Sequence, residues 1–261
     1  MFEFSYDTLT PQQKDAYLQR IGCAGLSEVC KETLDKLIYM HQCTVPFESL
    51  DIFAGCPEVP LDGASLYNKI VERRRGGFCY ELNGLFVMLL RAMGFDAYSC
   101  MCRVAANRTV LGNLFHRGTV VRLDGKEYLC DVGLGGPMAP FAVEISDERQ
   151  TQHGETYWIE PTYEGWYLQK RLASDGSESN VIIFAAMPFL GTDFIPYCNT
   201  LINTPGTAFR TTRMVNLRTE NGNYNLRGNT LTITDSGVHR DIEFSDNELS
   251  GILKKYYNMD Y

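Results

Sequence analysis

The sequence predicts an α+β protein with helices up to Gly94, strands through the middle and a mixed end. Three observations carry that prediction. Apolar residues recur at helical spacing behind recognisable caps before Phe95. After Phe95 short β-rich runs alternate with Asp-Gly turns. A capping box, Ser245-Asp246-Asn247-Glu248, then opens a last helix. Helices and strands segregated along the chain define the α+β class.

The elements follow in order. Thr10-Pro11-Gln12-Gln13 combines an N-cap threonine, a proline at the first helical position and a capping-box glutamine, so a helix should run to about Ile21 and stop before Gly22. From Ser27 a second helix is expected on the stripe Val29, Cys30, Thr33, Leu34, Leu37, Ile38, His41. A third, after Asp62, carries Leu66 and Ile70 and stops at Gly76-Gly77. A fourth starts near Cys79 and runs through ELNGLFVMLLRAM to Gly94. YSCMCRVA, HRGTVVRL, KEYLCDVG, TYWIEP, GWYLQKRL and NVIIFAA read as strands, with turns at Asp124-Gly125 and Asp175-Gly176. FIPYCNTLIN reads as a short helix, and further strands flank Asn221-Gly222 and Gly228-Asn229. The final helix carries Leu249, Ile252 and Leu253.

Composition narrows the function. With 261 residues, 44% apolar and 21% charged, the chain is an ordinary globular protein with room for a sizeable core. No apolar run is long enough to span a membrane and no leader-like segment opens the chain, so a cytoplasmic protein without a membrane partner is expected. Nine cysteines, odd in number and in no regular framework, agree with a reducing compartment. There is no CxxC, and the four histidines form no metal-ligand spacing, so no metal is expected. A net charge of −8 argues against nucleic acid but leaves room for an anionic small ligand in a local pocket.

One cysteine stands apart. RRRGGFCYELNG places Cys79 between a glycine pair and a helix start, where unpaired N–H groups and the helix dipole favour a thiolate. Gly76-Gly77 would let the backbone approach a substrate, and N–H groups at the turn could form an oxyanion hole. The other eight cysteines read as small core residues. A nucleophile needs a base. A two-residue loop at Asp124-Gly125 makes Gly118 face Asp131 and His116 face Gly133, which puts His116 and Asp131 on one face of the hairpin as diagonal neighbours. A three-residue loop would separate them. An aspartate that orients a histidine, which activates a thiol, is the generalised triad. His41 continues an apolar stripe and reads as a core residue, while His153 and His239 fall in polar turns.

These residues resemble the arylamine N-acetyltransferase family over nearly the whole chain. RGGFCYELNG is similar to that family's RGGxCxExN signature, VPFESLDI to its PFENL segment, HRGTVV to its histidine strand, YLCDVGLGGP to its aspartate strand, and NTLINTPGTAFRTT to its coenzyme A region. The resemblance implies a helical bundle over 1–94 carrying the nucleophile, a β-barrel over 95–190 carrying His and Asp, and an α/β lid over 191–261. It implies a cysteine-protease-like triad of Cys79, His116 and Asp131. Arg75 and Glu48 would pair in support of the active-site loop, Phe47 and Leu134 would line the acceptor pocket, and Gly112, Gly206 and Thr207 would lie near coenzyme A. Ser49 replaces the family's asparagine, and Leu134 stands where an aromatic is frequent, a change that would widen the acceptor pocket. The implied reaction is ping-pong transfer of acetyl from acetyl-CoA, through a Cys79 thioester, to an arylamine, arylhydroxylamine or hydrazine.

Three other readings use the same residues. One is a macrolactam-forming amide synthase of the same fold. Another is a transglutaminase-like or papain-like hydrolase, although the 37 residues from Cys79 to His116 fit papain poorly. The last is a silent binding module that retains the fold. The sequence leaves the oligomeric state open.

Overall fold

A computed structural model describes residues 6–106, 110, 112–136 and 138–261. Pro137, which ends the GLGGP loop, lies outside them. Helix α1 (Pro11–Arg20) has the expected box, with Thr10 Oγ1 accepting from Gln13 N at 3.2 Å and Gln13 Oε1 from Thr10 N at 3.0 Å. Helix α2 (Lys31–Thr44) begins four residues later than Ser27, because Cys30 is extended (φ −145°, ψ 168°) and serves as N-cap. Val29 is 43% exposed, so nothing draws that segment onto the core.

Strand β1 (Phe47–Glu48) and helix α3 (Leu50–Phe53) follow, neither expected from the sequence. Helix α4 (Gly63–Tyr67) starts on the Asp62 cap and passes into a π-helical turn at Asn68–Glu72, so the third helix ends before Gly76-Gly77. Helix α5 (Cys79–Ala92) is buried from Cys79 through Leu90, a mostly apolar run that takes the polar Glu81 and Asn83 inside with it.

The middle of the chain forms one antiparallel sheet of eight strands: β2 (Asp96–Val104), β3 (His116–Leu123), β4 (Lys126–Cys130), β5 (Val143–Glu144), β6 (Gln150–Gln152), β7 (Glu155–Pro161), β8 (Trp166–Leu172) and β9 (Glu178–Ala185). Their order is β5-β4-β3-β2-β9-β8-β7-β6. Ile159 N donates to Ser146 O at 2.9 Å, bringing β7 against the end of β5 and nearly closing the sheet into a barrel. Asp124 (φ 52°) and Gly125 (φ 76°) form the two-residue loop, and the register runs from Leu123↔Lys126 to Thr119↔Cys130.

Alternation divides β2 between two cores. Tyr98, Cys100 and Cys102 fill the barrel, while Ala97 and Met101 join the core built around α5. Beyond β9 come α6 (Ile195–Asn203), α7 (Ala208–Thr211), and the meander β10 (Met214–Thr219), β11 (Gly222–Arg227), β12 (Thr230–Asp235), β13 (Val238–Glu243). The Ser245 box opens a 3-10 turn leading into α8 (Leu249–Tyr257), whose Leu249, Leu253 and Tyr257 pack on the meander. This third layer is tied to the first part of the chain. β10 pairs with β1 at Phe47↔Asn216 and Glu48↔Val215, and Cys198, Leu201 and Ile202 of α6 enter the α5 core.

Candidate active site

Cys79 is the first residue of α5, so its own N–H and that of Tyr80 have no intrahelical acceptor. Gly76 and Gly77 bring the chain there, but the space they free is taken by protein rather than left for a substrate. A Cβ on Gly76 would lie 2.0 Å from Pro46 O, and one on Gly77 would lie 2.8 Å from Glu81 Cβ. The glycine pair packs the loop against the β1 segment, where Glu48 N donates to Gly77 O at 2.8 Å.

His116 opens β3 and Asp131 follows the last residue of β4, so the hairpin register puts them side by side. His116 Nε2 lies 2.6 Å from Asp131 Oδ2, while the Cys79 thiol, which borders the same cavity as His116, donates to Phe115 O at 3.8 Å. Nε2 is therefore committed to the carboxylate, which leaves Nδ1 as the ring nitrogen not engaged with Asp131. Burial by itself disfavours the imidazolium, yet the charge and hydrogen bond of Asp131, with Cys79 behind them, raise His116 to about 10. At neutral pH this favours a charged histidine beside the sulfur.

Asp131 is held on every side. Its Oδ1 accepts from Asn83 Nδ2 at 2.9 Å and Gly133 N at 2.8 Å, and its carbonyl accepts from Gln42 Nε2 at 2.9 Å. Asn83 is wholly buried and also donates to Arg117 O at 2.6 Å while accepting from Val132 N at 3.0 Å. A Cβ on Gly133 would lie 3.0 Å from Cys79 Cα, so the chain after Asp131 passes directly over the thiol residue.

A buried ion network lies beneath the loop. Arg75 donates to Glu48 Oε1 from Nη2 (2.7 Å) and Nε (3.1 Å), and to Asp51 at 2.9 Å. Lys69, on the π-helical turn, reaches Asp51 and Glu81, each at 2.8 Å. Burial pushes the Glu81 carboxyl up while the Lys69 ammonium opposes it. Glu81 Oε2 in turn accepts from Phe78 N at 3.0 Å, so a charged pair caps the helix that Cys79 begins.

Cys79 and His116 border a cavity of about 170 Å³ whose walls include Phe47, Leu134, Phe115, Val104, Leu201 and Phe209. Leu134 and Phe47 thus meet there, joined by Phe209 and Leu201 from the α6–α7 region. Gly206 (φ 74°) and Thr207, the N-cap of α7, sit beside Phe209 and outside the cavity wall. Gly112 O accepts from Arg103 Nη1 at 2.6 Å, next to Asn113 on the rim. Past Leu134, Gly135 and Gly136 border a larger polar cleft of about 630 Å³, with Gln152, Arg218, Asn223 and His239 on its walls. The sequence reading assigned no role to Asn83, Glu81, Lys69, Gln42 or Phe209. A signal existed for Asn83, which follows Cys79 by four residues and so shares its helix face. Lys69 and Gln42 reach the site only through packing.

A thiol at a helix start, a histidine and a carboxylate gather where a helical bundle meets a barrel, an arrangement with the chemistry to pass an acyl group through a thiol. Residues 31–261 match the family model described as N-acetyltransferase. The arylamine N-acetyltransferase of Mycolicibacterium smegmatis is 32% identical over 87% of this chain and 84% of its own length. The chain belongs to the arylamine N-acetyltransferase family. Proansamycin X synthase of Amycolatopsis mediterranei is 35% identical over 60% of this chain and 62% of its own. In fold the chain is similar to the arylamine N-acetyltransferase of Mycobacterium marinum, a structure in complex with CoA (TM-score 0.84, 24% identity, 94% of this chain and 92% of that one).

Proposed function

We propose that this enzyme carries acetyl from acetyl-CoA to arylamines, arylhydroxylamines or hydrazines by a ping-pong route through Cys79. The observation that carries the reading is the 2.6 Å contact between His116 and Asp131 beside a thiol at the first position of α5. The Cys79 thiolate attacks the acetyl carbonyl, and the N–H groups of Cys79 and Tyr80 are offered to the developing oxyanion. Coenzyme A leaves as its thiolate and takes the proton of the His116 imidazolium. One thioester has replaced another, so this half is close to thermoneutral. A weakly basic amine, unprotonated at neutral pH, then attacks the acetyl group. His116 accepts the amine proton as the Cys79 thiolate departs, and the starting ion pair is restored.

Phe47, Leu134 and Phe209 form the acceptor wall in this reading. The polar cleft beyond Gly135-Gly136 is assigned to the nucleotide end of coenzyme A, with Gly112, Gly206 and Thr207 along its approach. Arg75 and Glu48 support the loop. Residues 1–94 supply the nucleophile, 95–190 the His-Asp pair and 191–261 the lid. A cavity of about 170 Å³ accommodates a single ring with an acetyl group better than a long carrier-bound chain, which favours acetyl transfer over macrolactam closure. All nine cysteines are free thiols, and no helix among the described residues is long and apolar enough to cross a membrane. We therefore place the enzyme in the cytoplasm. Incubation with acetyl-CoA and no amine should add one acetyl group, on Cys79, as read by mass spectrometry. A label on another cysteine, or none under conditions that acetylate an amine, would overturn the mechanism.

A further inference from the structure

Behind the strand that carries His116 lies a second cavity, of about 250 Å³, whose walls include Asp7, Met88, Arg91, Arg117, Phe189 and Thr192. It shares no wall residue with the thiol cavity. Strand alternation explains the separation: His116 and Arg117 are consecutive on β3 and point to opposite faces.

Arg117 is 2% exposed, and no carboxylate forms an ion pair with it among the described residues. Nε and Nη2 both donate to Ser99 Oγ, at 3.0 and 2.8 Å, and Nη1 donates to Tyr80 O at 3.5 Å. A guanidinium has five N–H donors, and these bonds occupy three of them among the described residues. The Phe194 ring lies 4.4 Å from the guanidinium carbon and offsets part of the desolvation. On the other side, Arg91 donates from Nε to Ala97 O at 2.9 Å and from Nη1 to the Asp7 carbonyl at 3.2 Å. Burial first, and then the like charge of Arg91, pull Arg117 below the ordinary guanidinium range. The exposed Asp7 carboxylate is near enough to temper that charge but forms no ion pair with either arginine. Two cations thus face one cavity, Arg91 stacked on the Tyr6 ring at 4.2 Å and Arg117 buried with no ion-pair partner among the described residues, an arrangement that an incoming anion relieves.

We propose that this cavity binds a compact organic carboxylate between Arg91 and Arg117. The planar guanidinium fork matches a carboxylate better than it matches a neutral acceptor. The volume exceeds that of a bare inorganic oxyanion, and Met88 and Phe189 offer an apolar wall to a small hydrocarbon body. The ligand site lies one residue from His116 but on the opposite face of β3.

Benzoate tests the proposal, with benzamide and inorganic phosphate as controls, titrated calorimetrically into full-length protein whose Cys79 has been alkylated to obstruct the thiol cavity. The expected result is saturable one-to-one binding of benzoate, weakened about 10- to 100-fold by Arg91→Gln through loss of a charge-assisted bond, and no comparable binding of benzamide. Because Arg117 also braces Ser99 and Tyr80, Arg117→Lys serves as the second variant. It keeps the charge, loses the fork, and should also bind benzoate more weakly while melting cooperatively. Absence of saturable binding to the alkylated wild type would overturn the proposal. So would equal affinity in Arg91→Gln, equal binding of benzamide, or binding of phosphate with benzoate excluded.

Discussion

Two buried histidines, His41 in the helical core and His116 at the barrel wall, are 0% and 2% exposed, yet their chemistry diverges. His41 Nε2 lies 2.7 Å from Tyr17 OH, its ring meets the edges of Tyr17 and Phe86, and its Nδ1 has no hydrogen-bond partner among the described residues. Burial, aided by the nearby Arg20, lowers it to about 3. His116 undergoes the same desolvation, but a carboxylate and a thiol face it, and it rises to about 10. Burial therefore does not make a histidine inert. What decides its charge is whether the buried partner carries a negative charge, as Asp131 does and the neutral Tyr17 hydroxyl does not.

Removing the acceptor of the acyl group should have the largest effect. Cys79→Ser leaves a side chain of similar size, whose hydroxyl is far harder to deprotonate, and transfer should fall below detection with the fold retained. Retained turnover would mean direct attack of the amine on acetyl-CoA.

Next comes the partner that separates the two histidines. Asp131→Asn keeps the shape but removes the charge and can present an N–H to Nε2, favouring the wrong tautomer. By analogy with serine proteases, turnover should drop on the order of 10⁴-fold. His116 should at the same time lose the charge that sets it apart from His41, which an NMR titration of the imidazole would show. A fully active Asp131→Asn enzyme would refute the role of Asp131.

A smaller effect is expected on thiol reactivity. In the wild type, iodoacetamide should alkylate Cys79 rapidly at neutral pH, because the charged His116 beside it favours the thiolate. His116→Ala should slow that alkylation by about 10-fold or more. Equal rates in the two proteins would show that the histidine does not activate the thiol.

Stability should report the same contrast with opposite signs. His116 is raised, so its contribution is complete below the unfolded value near 6.5 and is lost as pH climbs toward about 10. His41 is depressed, so its contribution is complete above about 6.5 and is lost as pH falls toward about 3. Denaturant midpoints against pH should flatten on the acid side in His41→Phe and on the alkaline side in His116→Ala. The smallest change is Tyr17→Phe, which strands His41 Nε2 at a cost of about 1–3 kcal/mol while turnover per folded molecule stays the same. A large loss of turnover there would mean that the helical core is coupled to the site.

Much of this site is legible because its determinants are short-range. Thr10-Pro11 and Asp124-Gly125 act through hydrogen bonds and torsions inside a few residues, and the two-residue loop is enough to bring His116 to Asp131. The glycine pair and the onset of α5 likewise mark Cys79. Range also explains the misreadings. The stripe from Ser27 counted Val29 as core, but it stays 43% exposed. Gly76-Gly77 looked open to substrate, but Pro46 and Glu81 occupy that space.

By itself, then, the sequence determined the α+β order of elements, the hairpin register, and a thiol, a histidine and a carboxylate suited to one another. Tertiary structure alone decided what holds them in place: Asn83 and Gln42 on Asp131, Lys69 between Asp51 and Glu81, β1 paired with β10, and Phe209 across from Phe47. It also decided that Arg117, which in sequence is only the residue after the histidine, would be buried facing a second arginine across a cavity. The physical reason is distance along the chain. Turn chemistry and periodicity act over a few residues and leave a local pattern. Contacts such as Gln42 with Asp131, or Glu48 with Val215, depend on how whole layers pack, and no local pattern records them.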